Sequence, residues 1–200
     1  MKLVLFYGSV RPGRLVDRVG CFVKDLVEAN GFEVTLLDPG EMPFEILKCP
    51  LHFYPDILEA PDWLVEANEK IRDAECFLVV SAEYNATIPP ALSNMLDHFN
   101  MTSYRHKPLG LVTYSMGHFG GIRAASTIRQ LGIELGMVPI PANAHIPMAE
   151  TTFDETGICL DERVSSRILR LVEELRWYAT ALSSYKAIEA PPNAPQYSLE

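Results

Sequence analysis

The sequence predicts an α/β protein in which a doubly wound sheet of five parallel strands lies between two layers of helices. Three observations predict this fold: five short apolar runs have the length of strands, segments with helical periodicity separate them, and no repeat or break in composition divides the chain. Apolar strands that alternate with helices are typical of a parallel sheet covered on both faces. A length of 200 residues, 48% of them hydrophobic, fits a single domain with a full core.

The first half of the chain begins with a short, apolar and β-rich run over residues 3–7, which predicts a buried strand. Apolar positions with a period of 3.6 residues predict a helix over residues 16–28, ended by an Asn-Gly pair, and a second strand covers residues 33–37. The proline-rich residues 39–61 are predicted to form a loop with a buried apolar lining. Asp62 is predicted to cap the helix that follows.

The middle of the chain contains the third and fourth strands, over residues 76–80 and 109–114. A polar turn over residues 81–90 follows the third strand, and a glycine-rich loop over residues 115–121 follows the fourth. Residues 90–99 form the intervening helix, with proline in its first turn, where the missing N–H costs nothing.

The last third of the chain begins with a helix over residues 122–135 and a fifth strand over residues 138–145, whose two prolines place it at a sheet edge. Asp161 begins the final helix. We expect one domain over residues 1–188 and a loosely held tail over residues 189–200. Five strand–helix units favour the flavodoxin-like strand order 2-1-3-4-5 over the six-stranded Rossmann order.

Composition excludes several classes of function. A net charge of −9 and a pI near 5.1 argue against nucleic-acid binding, and an anionic ligand would need a local positive site. No apolar run approaches the length of a transmembrane helix, and the first apolar run is too short for a signal peptide, so we expect a cytoplasmic protein without a membrane partner. The four cysteines lack metal-ligand spacing and are predicted to be free, buried thiols.

Ligands of such a sheet lie beyond the carboxyl ends of the strands, so the loops after strands one, three and four are the candidates for a site. The first loop, residues 8–14, offers Ser9, Arg11 and Arg14 beside a helix N-terminus, a combination that favours an anion. It is neither a GxGxxG nor a Walker motif. The alternative is an ordinary turn with solvated arginines.

The second and third loops add a flat side chain and flexible backbone. Tyr84 could stack on a ring system, and Asn85 tolerates the backbone angles of a tight turn. Three glycines within residues 117–121 let the backbone approach a ligand closely. His118 has no recognisable partner carboxylate, which favours a loop histidine without acid–base duty. For the second loop, a capped turn with one surface aromatic remains the alternative.

Three motifs follow strands one, three and four in order: Gly8-Ser9-x-Arg11, Glu83-Tyr84-Asn85-x-x-x-Pro89 with Leu92-x-Asn94-x-Leu96-Asp97, and Gly117-x-x-Gly120-Gly121. In this combination the sequence resembles the NADPH-dependent FMN reductase family, which includes quinone, azo-dye and chromate reductases of flavodoxin-like fold. The likeness runs from residue 1 to about residue 180.

The resemblance implies where FMN would bind. The phosphate would be held by the first loop and the turn that follows it, and the isoalloxazine ring and ribityl chain by the other two loops. By resemblance, these residues are Ser9, Arg11, Val16 and Asp17 for the phosphate, and Glu83, Tyr84, Asn85, Ser115, Met116, Gly117, Gly120 and Gly121 for the rest. Two departures stand out: Ala82 replaces a proline, and apolar Leu15 and Val16 replace hydroxyl or amide side chains, so Arg14 and backbone amides would contribute more to phosphate binding.

The resemblance also implies an activity. NADPH would pass hydride to N5 of FMN, and a small acceptor such as a flavin, quinone, azo or nitro compound or metal oxyanion would then take its place in a ping-pong reaction. Since the chemistry resides on the flavin, no catalytic side chain is expected. Arg105 and Arg123 are candidates to contact the 2′-phosphate of NADPH.

Apolar side chains in residues 90–99 and 39–61 predict a homodimer or a dimer of dimers, which the family likeness also implies; the alternative is that these side chains complete the core. Two alternatives to the reductase stay open. One is a flavodoxin-type electron carrier that docks to protein partners, and the other is a family member that has lost FMN and acts as an interaction scaffold.

Overall fold

The computed structural model describes residues 1–192 and contains one sheet of five parallel strands. The strands are β1 (Lys2–Tyr7), β2 (Glu33–Leu37), β3 (Cys76–Ala82), β4 (Pro108–Tyr114) and β5 (Val138–Ile146). Their order is β2-β1-β3-β4-β5, as the sequence predicts. The three central strands are fully buried apart from Lys2, because helices cover both faces of the sheet.

Within residues 1–192, seven α-helices flank this sheet in two layers. They are α1 (Val16–Ala29), α2 (Asp62–Asp73), α3 (Pro90–Asp97), α4 (Met101–Tyr104), α5 (Ile122–Glu134), α6 (Ala149–Thr152) and α7 (Glu162–Lys186). One apolar cluster joins α1 and α7 to one face of the sheet, and a second joins α2, α3, α4 and α5 to the other face. The doubly wound, three-layer arrangement is therefore confirmed.

Two details of the helices differ from the prediction. Pro61, not Asp62, is the N-cap of α2, because the Pro61 carbonyl accepts hydrogen bonds from the N–H groups of Leu64 (2.9 Å) and Val65 (3.2 Å). Helix α3 ends at Asp97, and Asn100 starts α4 by accepting a hydrogen bond from the N–H of Thr102 at 2.9 Å. The sequence analysis did not predict the short helices α4 and α6.

The apolar side chains of α3 do not form an exposed face. Met95, Leu96 and Phe99 are at most 2% exposed and complete the core beneath α3. The prediction that they contribute to a subunit interface is therefore wrong, because α3 and the turn after it lie directly on the sheet.

Strand β5 lies at the edge of the sheet, as its prolines predict. Its register against β4 shifts between Leu109, which pairs with Pro139, and Leu111, which pairs with Asn143. The extra residues of β5 form a bulge that contains Pro141, whereas Pro139 stays in the ladder opposite Leu109.

The loop over residues 39–61 has the predicted buried lining but also an exposed side. Leu51 is buried, and the ring of Phe44 packs edge-on against Trp63 at 4.8 Å between centroids. Ile46 and Leu58, by contrast, are 84% and 87% exposed. Two turns of 3₁₀ helix, Leu51–Phe53 and Ile57–Glu59, stiffen the segment.

All four cysteines are free, but only Cys76 is buried, and the predicted burial is wrong for Cys21, which is exposed on α1. Among residues 1–192, no helix is long and apolar enough to cross a membrane, and no cluster of three or more potential ligands could hold a metal ion. Of the predicted tail, residues 189–192 are exposed, and residues 193–200 lie outside the described part of the chain.

Candidate functional site

A cavity of about 690 Å³ opens at the carboxyl ends of β1, β3 and β4. The ends of β1 and β3 approach closely here, because a Cβ atom at Gly8 would lie 2.3 Å from Oγ of Ser81. The walls come from the loops after these three strands. The lining residues are Ser9, Arg11, Pro12, Gly13, Arg14, Leu15, Ala82, Glu83, Tyr84, Asn85, Ala86, Tyr114, Ser115, Met116, Gly117 and Arg123.

The loop between β1 and α1 presents unpaired backbone donors. Within the described chain, the N–H groups of Gly13, Leu15 and Val16 have no hydrogen-bond acceptor. Gly13 has a φ of +68°, a value that favours glycine, and the chain changes direction there before α1 begins. Since the helix dipole is positive at this end, these N–H groups form a site for an anion.

Arg14 is held by carboxylates at the side of this loop. Its Nη1 and Nη2 donate to the two carboxylate oxygens of Asp38 at 2.6 and 2.5 Å, and its Nε donates to Asp17 at 2.9 Å. Nη1 also donates to the carbonyl of Ser9 at 2.8 Å. The hydrogen bonds to Asp38 raise the pKa of Arg14, and only 10% of its side chain is exposed.

Tyr84 connects the first and second loops. Its hydroxyl hydrogen-bonds to Oγ of Ser9, and the guanidinium of Arg11 lies over its ring at 3.6 Å from the centroid. One ring face of Tyr84 is thus covered by a cation rather than free to stack on a ligand. Arg11 itself is exposed and has no carboxylate partner among the described residues.

The second loop turns tightly after Tyr84. The N–H of Tyr84 donates a hydrogen bond to the carbonyl of Thr87 at 3.1 Å, and the N–H of Thr87 donates to the carbonyl of Tyr84 at 3.0 Å. Asn85 and Ala86 between them have φ values of +49° and +63°. Positive φ at both central residues is the signature of a type I′ turn, which places Asn85 and Ala86 at the edge of the cavity.

Glu83 binds the start of α5. Its carboxylate accepts hydrogen bonds from the N–H groups of Arg123 (3.0 Å) and Ala124 (3.3 Å) and pairs with the Arg123 guanidinium. Burial raises the pKa of Glu83, but these hydrogen bonds outweigh it and leave the pKa below the usual range. Glu83 is therefore an ionised cap of α5 and not a free general base.

The third loop forms the remaining wall. Ser115 donates from Oγ to the carbonyl of Gly117 at 3.0 Å, and Met148, after β5, donates from its N–H to the same carbonyl at 3.0 Å. Met116 is 67% exposed beside them. Beneath the loop, Tyr114 is 3% exposed, and its hydroxyl has no hydrogen-bond partner among the described residues.

The structure brings together most of the predicted site residues. Those that line the cavity are Ser9, Arg11, Arg14, Glu83, Tyr84, Asn85, Ser115, Met116 and Gly117. Four others do not: Val16, Asp17, Gly120 and Gly121. The Val16 side chain is in the core, Asp17 faces Arg14, and the two glycines are buried where a Cβ atom would meet the backbone of β5 or β4 within 3.0 Å.

Six further lining residues are not predicted from the sequence: Tyr114, Pro12, Gly13, Leu15, Ala82 and Ala86. Tyr114 could have been found, because it is the last residue of a buried strand that ends at the site. Of the two arginines considered for NADPH, Arg123 lines the cavity. Arg105 precedes β4 and lies at the opposite end of the sheet, so its candidacy for this cavity is wrong.

Comparisons with known proteins agree with this geometry. The fold matches the flavoenzyme NAD(P)H:(acceptor) oxidoreductase FerB of Paracoccus denitrificans with a TM-score of 0.76 and 20% identity, over 90% of this chain and 97% of that one. Residues 1–151 match the family model described as NADPH-dependent FMN reductase. The chain belongs to the NADPH-dependent FMN reductase family. It is accordingly an oxidoreductase of a family whose cofactor is FMN and whose reductant is NADPH.

Two curated relatives of this family member span nearly its whole length. An NAD(P)H:quinone oxidoreductase of Solanum tuberosum is 28% identical over 91% of this chain and 94% of its own length. An FMN-dependent NADPH-azoreductase of Staphylococcus saprophyticus is 25% identical over 88% of this chain and 93% of its own length.

The residues of the cavity fit FMN. Its volume is within the range of cofactor sites, and the N–H groups at the start of α1, together with Arg11, which has no carboxylate partner within residues 1–192, suit a phosphate. The buried Tyr114 hydroxyl has no hydrogen-bond partner in the described part of the chain, and a polar ligand group could supply one.

Proposed function

We propose that this reductase holds FMN in the central cavity and transfers electrons from NADPH to a planar aromatic acceptor of the quinone class. The observation that supports it most directly is the cavity itself, which joins an anion-binding loop after β1 to the loops after β3 and β4. This is the switch point of the sheet, where α/β folds of this order bind ligands.

The chain's own residues orient the cofactor in this proposal. The N–H groups of Gly13, Leu15 and Val16 and the guanidinium of Arg11 bind the phosphate, while the turn at Asn85 and the loop at Gly117 flank the ring. Bound FMN supplies the redox chemistry, accepting two electrons from NADPH and passing them to the acceptor. The protein contributes binding, orientation and exclusion of water.

The rim of the cavity supports an aromatic acceptor. Met116, Phe119 and Ile122 are 67%, 68% and 52% exposed along the third loop and the start of α5. The nearby cation, Arg123, is paired with Glu83 and lies 5.4 Å from the centroid of the Phe119 ring. Such a surface suits a flat apolar molecule, and the names of the curated relatives agree with it.

We also propose ping-pong kinetics, because the loops after β1, β3 and β4 would leave room for one planar partner over the ring at a time. NADPH and the acceptor would share one place over the ring, so each would exclude the other, and double-reciprocal plots should give parallel lines. We also propose a preference for NADPH over NADH, with Arg123 as the candidate contact for the 2′-phosphate.

Anaerobic mixing of the FMN-loaded protein with NADPH tests the activity. We expect the absorbance of oxidised flavin to bleach and to recover when a quinone is added. Flavin that stays oxidised under excess NADPH and NADH would contradict the reductase and support the flavodoxin-type electron carrier instead.

Fluorescence titration with FMN and riboflavin tests the phosphate site. Arg11→Ala should weaken FMN binding by about 1.5–3 kcal/mol, the usual contribution of a hydrogen bond to a charged group, and leave riboflavin binding unchanged. Arg170→Ala, at an exposed position on α7, is the matched control. Equal affinity of the parent protein for FMN and riboflavin would show that the phosphate assignment is wrong.

A further inference from the structure

We propose that Arg14 and Asp38 form a latch that holds the phosphate-binding loop in its binding conformation, and that Arg14 is a positioning residue rather than a phosphate ligand. The inference rests on the proposed function, since it concerns how the same cavity binds FMN. It assigns Asp38, at the end of β2, a part in cofactor affinity without contact with the cofactor.

The hydrogen bonds of Arg14 define the latch. Its guanidinium bridges both carboxylate oxygens of Asp38 at 2.6 and 2.5 Å and donates to the Ser9 carbonyl at 2.8 Å. Ser9 lies near the start of the loop and Arg14 near its end, so one side chain ties both ends of the loop to Asp38, directly after β2. A planar bidentate pair of this kind fixes orientation as well as distance.

The same contacts leave Arg14 little capacity for a phosphate. Every nitrogen of its guanidinium already donates to a protein oxygen, since Nε binds Asp17 at 2.9 Å. Two carboxylates beside it cancel its charge, and a phosphate there would meet Asp38, whose side chain is 7% exposed. Arg11, by contrast, is exposed and has no such partner in the described chain.

The backbone after β2 is shaped around this guanidinium. A Cβ atom at Gly40 would lie 2.3 Å from Nη1 of Arg14 and 3.2 Å from Oδ1 of Asp38. Oδ1 of Asp38 also accepts the N–H of Gly40 at 2.8 Å, which orients the carboxylate toward Arg14. Gly40→Ala should therefore displace the guanidinium while leaving both charges in place.

The direction in which Asp38→Asn changes FMN affinity shows whether Arg14 is part of a latch or a phosphate ligand. If Arg14 bound the phosphate, Asp38→Asn would free its charge and leave FMN binding unchanged or tighter. As a latch component, Asp38→Asn should weaken FMN binding by about tenfold and leave riboflavin binding unchanged, because a mobile loop must be ordered around the phosphate. Arg14→Lys, which keeps the charge but not the bidentate geometry, should give the same loss.

A second readout needs no cofactor. Deuterium exchange of the cofactor-free protein should be faster over residues 9–15 in Asp38→Asn and Arg14→Lys than in the parent. Glu28→Gln, which removes the exposed pair between Lys24 and Glu28 on α1, should change neither exchange nor affinity. If Asp38→Asn does not fold, FMN affinity and deuterium exchange of Arg14→Lys and Gly40→Ala test the latch instead.

The outcomes separate the latch from the proposed function. A parent protein that does not prefer FMN over riboflavin contradicts the phosphate site and the latch with it. A parent that prefers FMN, with Asp38→Asn or Arg14→Lys retaining full FMN affinity, overturns the latch alone. Equal loss of FMN and riboflavin affinity would also overturn it, because the damage would then extend beyond the phosphate loop.

Discussion

Ala86 occupies a left-handed backbone conformation, which costs free energy for alanine because its Cβ atom is crowded there. It is the second central residue of the type I′ turn beside the cavity, with a φ of +63°. Ala86→Gly should raise the free energy of unfolding by about 0.5 kcal/mol, since relief of the strain exceeds the added entropy of the unfolded chain. Urea unfolding measures this.

The neighbouring residue is the matched control for that turn. Asn85, with a φ of +49°, is a residue type that tolerates positive φ, so Asn85→Gly should be neutral or destabilising. Equal stabilisation by both substitutions would show that relief of strain at Ala86 is not the cause.

His145 makes stability depend on pH. Burial, together with Arg167 and Arg129, lowers the pKa of this imidazole in the folded protein. The unfolded chain then binds a proton at a higher pH than the folded one, so stability is complete above about pH 6.5 and falls as the pH drops through the folded pKa. His145→Asn should reduce the loss of stability measured by urea unfolding between pH 7.5 and 5.5.

A control separates this effect from other histidines. His118→Gln changes an exposed imidazole in the third loop and should keep the parent's pH dependence. The assignment to His145 is wrong if His145→Asn retains the parent's slope. Asn supplies an N–H near the position of Nδ1, which lies 2.8 Å from Oγ1 of Thr113, so the fold should tolerate it.

At the level of single residues, the sequence identified residue types better than it identified roles. Arg11, Arg14 and Arg123 all look like candidate anion ligands in the sequence. The structure stacks the first on Tyr84, binds the second to Asp38 and pairs the third with Glu83. Each partner is distant along the chain, and no local pattern encodes such pairing.

At the level of elements, one buried lysine joins two helices to the sheet. Nζ of Lys107, just before β4, donates to the carbonyls of Ile71 (2.6 Å) and Arg72 (2.7 Å) in α2 and of Ser103 (2.9 Å) in α4. Lys107→Met should lower the free energy of unfolding by about 2–3 kcal/mol, because buried carbonyls lose their donor.

Chemical denaturation of Lys107→Met beside Lys48→Met tests this link. Lys48 is exposed in the loop after β2, so its replacement should change stability by at most about 0.5 kcal/mol. Similar values for the two variants would show that Lys107 does not hold the helix ends.

The sequence predicted the elements well wherever periodicity and length are unambiguous, as in the five strands and the long helices. The sequence-based prediction failed where tertiary contacts determine where a helix begins or ends. Helix α3 ends at Asp97 and α4 begins at Met101, and Phe99 between them is buried in the core. Helix α6 forms against the third loop, where the N–H of Ala149 donates to the carbonyl of Ser115. Helices of four residues leave almost no periodic signal.

At the level of the whole molecule, the exposed side of the loop over residues 39–61 predicts self-association. Ile46, Phe53, Ile57 and Leu58 are 84%, 67%, 50% and 87% exposed within one segment. Apolar side chains gathered in this way usually mark an interface, and a symmetric pair of copies is its simplest occupant. Of the two segments from which the sequence predicts a homodimer or dimer of dimers, α3 is buried and this loop has an exposed apolar side.

Light scattering of the parent and of a double variant tests that surface. We expect a mass of at least twice the 22.4 kDa of one chain, and a shift toward the single-chain mass in Ile46→Lys/Leu58→Lys, because two charges buried at a contact cost more than the contact gains. Ile133→Lys, at a 63% exposed position on α5, should leave the mass unchanged. A parent protein that stays at the single-chain mass at every working concentration shows that the loop does not join subunits. An assembled double variant would place the interface elsewhere on the surface.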